Sequence, residues 1–248
     1  MSIKSKVAAA AATLTLVGGV GMAGMLTAGA ASAATPSAGP SAIDIYSKQF
    51  GTHAHPNFVV DVWRQGEKAG QPVILFRAAN YDPAEDFTVA YQGKVSDFYA
   101  ASLVSAALDL HYGGGAPGFQ DDSAFEYEYA PFGVDSGLCV GVATTALQGE
   151  DVTLQPCGVS SNTVWIEDYF DSFSTFLNGR YVPLINGSDT NFSHPFVLTY
   201  PTDGYPTDLP RPVLTVTNLT GFSNGFGAPE LGTVESSQLW AADYGVLG

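Results

Sequence analysis

The sequence predicts an all-β protein, a barrel of three related units. Three observations carry that prediction. Apolar residues cluster in short β-branched or aromatic runs, with Gly and Pro recurring between them. Helical periodicity is weak except over Ser96 to Leu110 (SDFYAASLVSAALDL), which the pattern leaves as a short helix or two strands. Finally, a strand–turn–strand–turn–aromatic order occurs three times. Another Greek-key barrel or a sandwich is the alternative architecture.

The first 33 residues form a segment apart. Lys4 and Lys6 make a basic head, Val7 to Leu26 an apolar run, and Ala31-Ser32-Ala33 a small-residue cleavage pattern. This is expected to be a secretory signal peptide, residues 1–33, of the Ala-rich bacterial and in particular actinobacterial type. Its many glycines and small-residue exit argue against an uncleaved anchor, and no later run is long and apolar enough to cross a bilayer. Residues 34–41 (ATPSAGPS, from Ala34 to Ser41) are expected to be a flexible linker, and residues 42–248 one all-β domain.

Charge narrows the partners. Loss of Lys4 and Lys6 leaves seven basic residues against 24 acidic ones, a formal charge of −17. Phosphate backbones and anionic lipid surfaces repel such a chain, so neither nucleic acid nor membrane is an expected partner. With 46% apolar and 12% aromatic residues, the composition is that of a folded, exported protein.

Export also bears on the only two cysteines, Cys139 and Cys157. Outside the cytoplasm nearby cysteines are expected to be oxidised. Without a CxxC or paired histidines they make a poor zinc site. A structural disulfide closing this loop would contribute about 3 kcal/mol on the chain-entropy account.

The repeat units span residues 57–89, 137–167 and 195–242. The first contains Phe58 to Val62, Gln71 to Phe76, and Ala84 to Phe87. The second contains Leu138 to Val142, Asp151 to Gln155, and Asn162 to Trp165. The third contains Phe196 to Tyr200, Arg211 to Val216, and Ser237 to Trp240. Phe87, Trp165 and Trp240 recur at spacings of 78 and 75 residues and are expected to fill the core. Residues 92–136 and 166–194 are then long insertions, strand extensions or a second layer.

The stretch GLCVGV, then LQPC eighteen residues from the first Cys to the second, then NTVW resembles one repeat of a ricin-type β-trefoil lectin. Gln238-Leu239-Trp240 is a literal Gln-x-Trp element of that family, while Thr163-Val164-Trp165 and Glu85-Asp86-Phe87 are degenerate versions. The resemblance implies a β-trefoil, a Cys139–Cys157 disulfide, and sugar sites built from a carboxylate, a stacking aromatic and an amide. Carried over, the first unit supplies Asp61 and Phe76, with Glu85 at the amide position and Asn80 as a substitute. Arg64 and Gln65 stand nearby. The second unit has Gly141 and Gln155 and keeps only Asn162, and the third has Thr199 and Val216. Only the first is a candidate glycan site, and its residues also have plain structural readings as a strand carboxylate and a core Phe.

No catalytic constellation stands out. His53 and His55 could share one face of a strand, but the segment is read as polar and non-ligating, so no metal or cofactor is expected. Nucleophile-elbow, HExxH and phosphate-loop patterns are absent. Asp121, Asp122, Glu126, Glu128, Glu167 and Asp168 offer paired carboxylates, as chance would in a chain with 24 acids. Glu126 and Glu128 alternate with Phe125, Tyr127 and Tyr129, which predicts a strand with polar groups outward. Asn186, Asn191 and Asn218 open Asn-x-Ser/Thr triplets, relevant only to a eukaryotic pathway. The expected function is therefore a secreted, non-catalytic glycan-binding protein. Protein interaction or inhibition through the Pro-stiffened loop Thr202 to Pro212 is the alternative, with a cell-surface structural part beside it and a secreted hydrolase third.

Overall fold

The computed structural model describes residues 43–50, 58–79, 82–104, 122–158, 160–167, 173–175, 179–189, 195–202, 212–220 and 234–243. The signal peptide and linker expected over 1–41 lie outside the described residues, as do Asn80, His53 and His55. Every described residue belongs to one compact unit, Ala33–Gly248.

The strands are β1 (Asp44–Ser47), β2 (Phe58–Val62), β3 (Val73–Arg77), β4 (Phe87–Lys94), β5 (Ser123–Tyr129), β6 (Leu138–Val142) and β7 (Glu150–Pro156). They continue with β8 (Trp165–Glu167), β9 (Phe173–Thr175), β10 (Gly179–Tyr181), β11 (Leu184–Asn186), β12 (Phe196–Thr199), β13 (Thr215–Asn218) and β14 (Trp240–Asp243). One helix, α1 (Val95–Ala100), follows β4 directly. The ambiguous stretch from Ser96 thus opens as helix, with Asp97 Oδ2 accepting the Lys94 backbone N–H at 3.0 Å and Phe98 buried.

Pairing defines the architecture. β14 pairs with β1, β4 with β5, β5 with β8 and β8 with β11, all antiparallel. Two bridges close the gaps, Ile43 to Phe87 and Val182 to Trp240, the latter with reciprocal backbone bonds of 2.8 and 2.9 Å. The result is a closed six-stranded ring, β14-β1-β4-β5-β8-β11. Three hairpins, β2–β3, β6–β7 and β12–β13, join to one another in a second cycle, while β9 and β10 form a separate two-stranded pair. The bridge from Pro72 to Thr153 links the first hairpin to the second, Asp151 to Thr215 the second to the third, and Val213 to Ile74 the third to the first. A six-stranded barrel capped by three mutually bonded hairpins is a β-trefoil.

Each unit therefore has four strands rather than three. The first strand of each (β1, β5 and β11) was not grouped with its unit by pattern, because it pairs chiefly with the last strand of the unit before. Two of the three, β5 and β11, occupy parts of the supposed insertions at 92–136 and 166–194. The expected core aromatics hold their places: Phe87, Trp165 and Trp240 are all fully buried in the main core. Trp165 Nε1 donates to the Val140 carbonyl at 2.9 Å, and Trp240 Nε1 to that of Leu198 at 2.8 Å.

On β5, Phe125, Tyr127 and Tyr129 face this core as the alternation requires. Glu126 and Glu128 point away from it, yet they are buried rather than solvated. Loops of the second unit fold over them and need acceptors: Gly158 donates its backbone N–H to Glu126 at 3.0 Å, and Gly137 donates to Glu128 at 2.6 Å. The Cys139–Cys157 disulfide is formed, with Cα atoms 5.0 Å apart at the open end of the β6–β7 hairpin.

Candidate functional site

The register aligns the three units residue by residue. Asp61 stands opposite Ile74, Gly141 opposite Thr153, and Thr199 opposite Thr215. One pair further along the same face, Val59 meets Phe76, Cys139 meets Gln155, and Val197 meets Thr217. The third equivalent of Phe76 is thus Thr217. Val216, the residue expected from the sequence, lies opposite Leu198 and faces the core, because a shift of one residue reverses a strand's faces. Ahead of the core aromatics, Glu85, Thr163 and Gln238 are equivalent.

In the third unit this position is filled from within. Gln238 Nε2 donates to Thr217 Oγ1 and to the Asn218 carbonyl, both at 2.9 Å. Its Oε1 accepts the Thr220 backbone N–H at 2.8 Å, and Thr199 Oγ1 lies 2.7 Å from Thr217 Oγ1. The second unit is closed differently. A Cβ on Gly141 would sit 2.6 Å from the Asn162 carbonyl oxygen, so no carboxylate fits there. The loop amide equivalent to that of Thr220, on Gly158, is taken by Glu126, which Thr163 also bonds.

The first unit puts carboxylates at this place. Ala79, equivalent to Thr220, donates its backbone N–H to Glu85 at 3.0 and 3.1 Å. Oxygens of Asp61, Asp82 and Glu85 lie within 4.8 Å of one another. Asp61 and Glu85 are only 3% and 6% exposed. Burial, opposed by the Ala79 hydrogen bond and reinforced by the charges of Asp61, Asp82 and Asp44, raises the Glu85 pKa to about 8. At neutral pH this carboxyl holds its proton.

Two of the expected site residues, Asp61 and Glu85, are therefore brought together. Phe76 is half-buried, diagonal to Asp61 on the same face of the β2–β3 hairpin, a spacing of about 7–8 Å between backbones. Gln65 also belongs to the site, since its Nε2 donates to Asp82 Oδ1 at 3.1 Å. Arg64 instead lies over the Trp63 ring, 5.3 Å from its centre. Both Arg64 and Gln65 hold left-handed backbone, with φ of 56° and 54°.

Sequence reasoning missed Asp82 and Tyr129. The Asp82-x-x-Glu85 spacing was the available signal for the first, with Asp82 Oδ1 capping the turn through the Ala84 backbone N–H at 3.0 Å. Tyr129 arrives from the second unit, fully buried, and its hydroxyl finds no hydrogen-bond partner among the described residues. Burial, followed by the charges of Glu67, Asp61, Asp86 and Asp82, pushes its pKa up.

Among the described residues, the other acidic candidates bond within the fold. Glu126 and Glu128 bond loop amides, and Glu167 takes the Tyr127 hydroxyl at 3.5 Å. Asp121 and Asp168 lie outside the described residues, as does most of the Thr202 to Pro212 loop. Among the described residues no helix is long and apolar enough to cross a membrane.

No known protein family matches the chain, and no curated protein does. Among solved structures it is similar to the designed 3-fold symmetric protein ThreeFoil, at 13% identity over 82% of this chain and 97% of that one, with a TM-score of 0.44. It is also similar to a mosquitocidal holotoxin, at 15% identity and a TM-score of 0.47, covering 83% of this chain but 17% of the toxin. A third is a Caenorhabditis elegans protein of unknown function, at 8% identity, 87% and 98% coverage, and a TM-score of 0.41. The assignment of this chain to the β-trefoil fold rests on its own strand pairing.

Proposed function

We propose that the chain is a secreted, non-catalytic protein of ricin-type lectin character that binds a glycan through its first unit. One observation carries the reading. Of three equivalent positions, only the first presents a carboxylate, Asp61, with an aromatic ring, Phe76, on the same face, where the second has Gly141 and Gln155 and the third Thr199 and Thr217. A carboxylate accepting from vicinal hydroxyls and a ring against the sugar's apolar face make a minimal recognition pair. The low exposure of Asp61 confines its ligand to a shallow approach beside the half-buried Phe76.

The test is binding to a glycan array and to insoluble polysaccharides, with Asp61→Ala beside the wild type. Binding that the variant loses supports a one-site lectin. Binding that survives moves the site elsewhere, and no binding by either removes the reading. Incubation with each bound polysaccharide should release no reducing sugar, and release would overturn the non-catalytic part.

Protein recognition is a second reading, and a specific loop favours it. Phe132 is 79% exposed and Val134 67% exposed. Their turn is held stiffly, with the Phe132 backbone N–H on Asp86 Oδ2 at 3.0 Å and the Gly133 N–H on the Ala130 carbonyl at 2.8 Å. Exposed apolar side chains on a rigid turn suit a protein partner. A partner whose binding is unchanged by Phe132→Ser would exclude this loop.

A further inference from the structure

We propose that Asp61, Asp82 and Glu85 form a binding site for one calcium ion, with the Tyr129 hydroxyl as its neighbouring polar group. Oxygens from the three carboxylates lie within 4.8 Å of one another. Three oxygens at that limit lie about 2.8 Å from their common centre, so a calcium ion, with bonds of about 2.3–2.6 Å, touches all three after a small inward movement. Magnesium, with bonds of about 2.0–2.1 Å, would need them drawn closer.

The charges are local to this unit. Equivalent positions elsewhere are neutral: Gly141 and Thr163 in the second unit, Thr199 and Gln238 in the third. The same fold thus closes this position with neutral groups in the third unit, with the single carboxylate of Glu126 in the second, and with three clustered carboxylates only in the first. Placing like charges together away from water is costly unless a proton or a cation compensates them.

Tyr129 supplies an independent observation. It is the second unit's equivalent of Asn186 in the third, since Glu128 pairs with Cys139 as Ile185 pairs with Val197. Asn186 Nδ2 reaches back across the unit junction to the Asn162 carbonyl at 3.1 Å. At the preceding junction Ala84 replaces Asn162 and the longer Tyr129 replaces Asn186. Across that junction the charges of Glu67, Asp61, Asp86 and Asp82, all acids of the first unit, act on the phenol. Tyr129 is 0% exposed, and its hydroxyl has no partner among the described residues. A buried donor of this kind calls for an acceptor, which the water or carboxylate shell of a bound ion supplies. Asp82, half-buried, marks the side from which the ion and its waters enter.

This inference goes beyond the glycan reading and does not depend on it. The experiment is calorimetric titration of calcium chloride into chelator-stripped protein without sugar, at physiological salt to suppress weak binding by the overall negative charge. One saturable site is expected, with Kd on the order of 10⁻⁴ M and binding of magnesium at least tenfold weaker. Asp82→Asn keeps an acceptor for the Ala84 N–H and should weaken calcium binding at least tenfold, while Asp151→Asn, an exposed acid of the second unit, should leave it unchanged. If circular dichroism shows Asp82→Asn misfolded, Glu85→Gln takes its place. Absence of a saturable site, or equal affinity in a folded variant, overturns the proposal. Glycan binding is scored separately, so either reading can fail alone.

Discussion

Trp240 and Trp165 make the same bond in different units, each indole N–H donating to the carbonyl three positions into a hairpin strand, Leu198 at 2.8 Å and Val140 at 2.9 Å. Phe87, the third member, has no donor to offer. Trp240→Phe should therefore leave the Leu198 carbonyl short of a partner and the core short of ring volume. A loss of about 2–3 kcal/mol is expected in urea denaturation. Trp165→Phe should cost a similar amount, and a loss below half a kilocalorie for either would show that the bond contributes little.

Gly141 is required by space rather than by backbone angle. A Cβ there meets the Asn162 carbonyl at 2.6 Å and Thr163 at 3.0 Å. Gly141→Ala should destabilise the protein by about 1–3 kcal/mol, the usual cost of overpacking. Thermal unfolding unchanged from wild type would contradict that.

Glu85 sets a pH dependence in the calcium-free protein. Its folded pKa of about 8 stands above the ordinary 4.5. Below 4.5 the folded and unfolded chains both carry the proton, and there is no penalty. Between 4.5 and 8 the unfolded chain releases a proton that the folded one keeps, so stability falls by up to about 1.4 kcal/mol per pH unit. Above 8 the penalty is complete. Burial shifts Glu126, Glu128 and Asp86 upward as well, so they add with the same sign. A melting temperature that declines from about pH 5 to pH 8, less steeply in Glu85→Gln, is the expected result. A flat profile would count against it.

The Cys139–Cys157 bond closes a separation of 18 residues around a hairpin that backbone bonds already hold, including Cys157 N–H to the Gly137 carbonyl at 3.1 Å. The double Cys139→Ala, Cys157→Ala variant should lose up to about 3 kcal/mol and still fold. Loss of the β-sheet signal in circular dichroism would show a larger role.

The hairpin strands were legible because they are β-branched, alternate within a few residues and are bounded by turns: Phe58 to Val62 and Leu138 to Val142 match their strands residue for residue. Barrel strands were harder to assign to a unit, although the alternation from Phe125 to Tyr129 did mark β5 as a strand. DIYS, SAFEYEY and LIN share neither length nor pattern, since each answers to a partner in the preceding unit. The site divides in the same way. Asp61 and Glu85 could be placed by matching repeats, whereas Tyr129 joins them only through the junction between two units, a relationship no local pattern contains. Val216 was misplaced by a single residue, which in a strand is enough to exchange pocket for core.

Closure of the ring joins its first strand to its last, with Asp44 opposite Asp243. No partial chain can complete the barrel, however favourable its earlier hairpins, until the strand from Trp240 has been synthesised. Contacts so distant along the chain make for slow folding. Until Asp243 has emerged, β1 of a nascent chain lacks the partner that closes the ring.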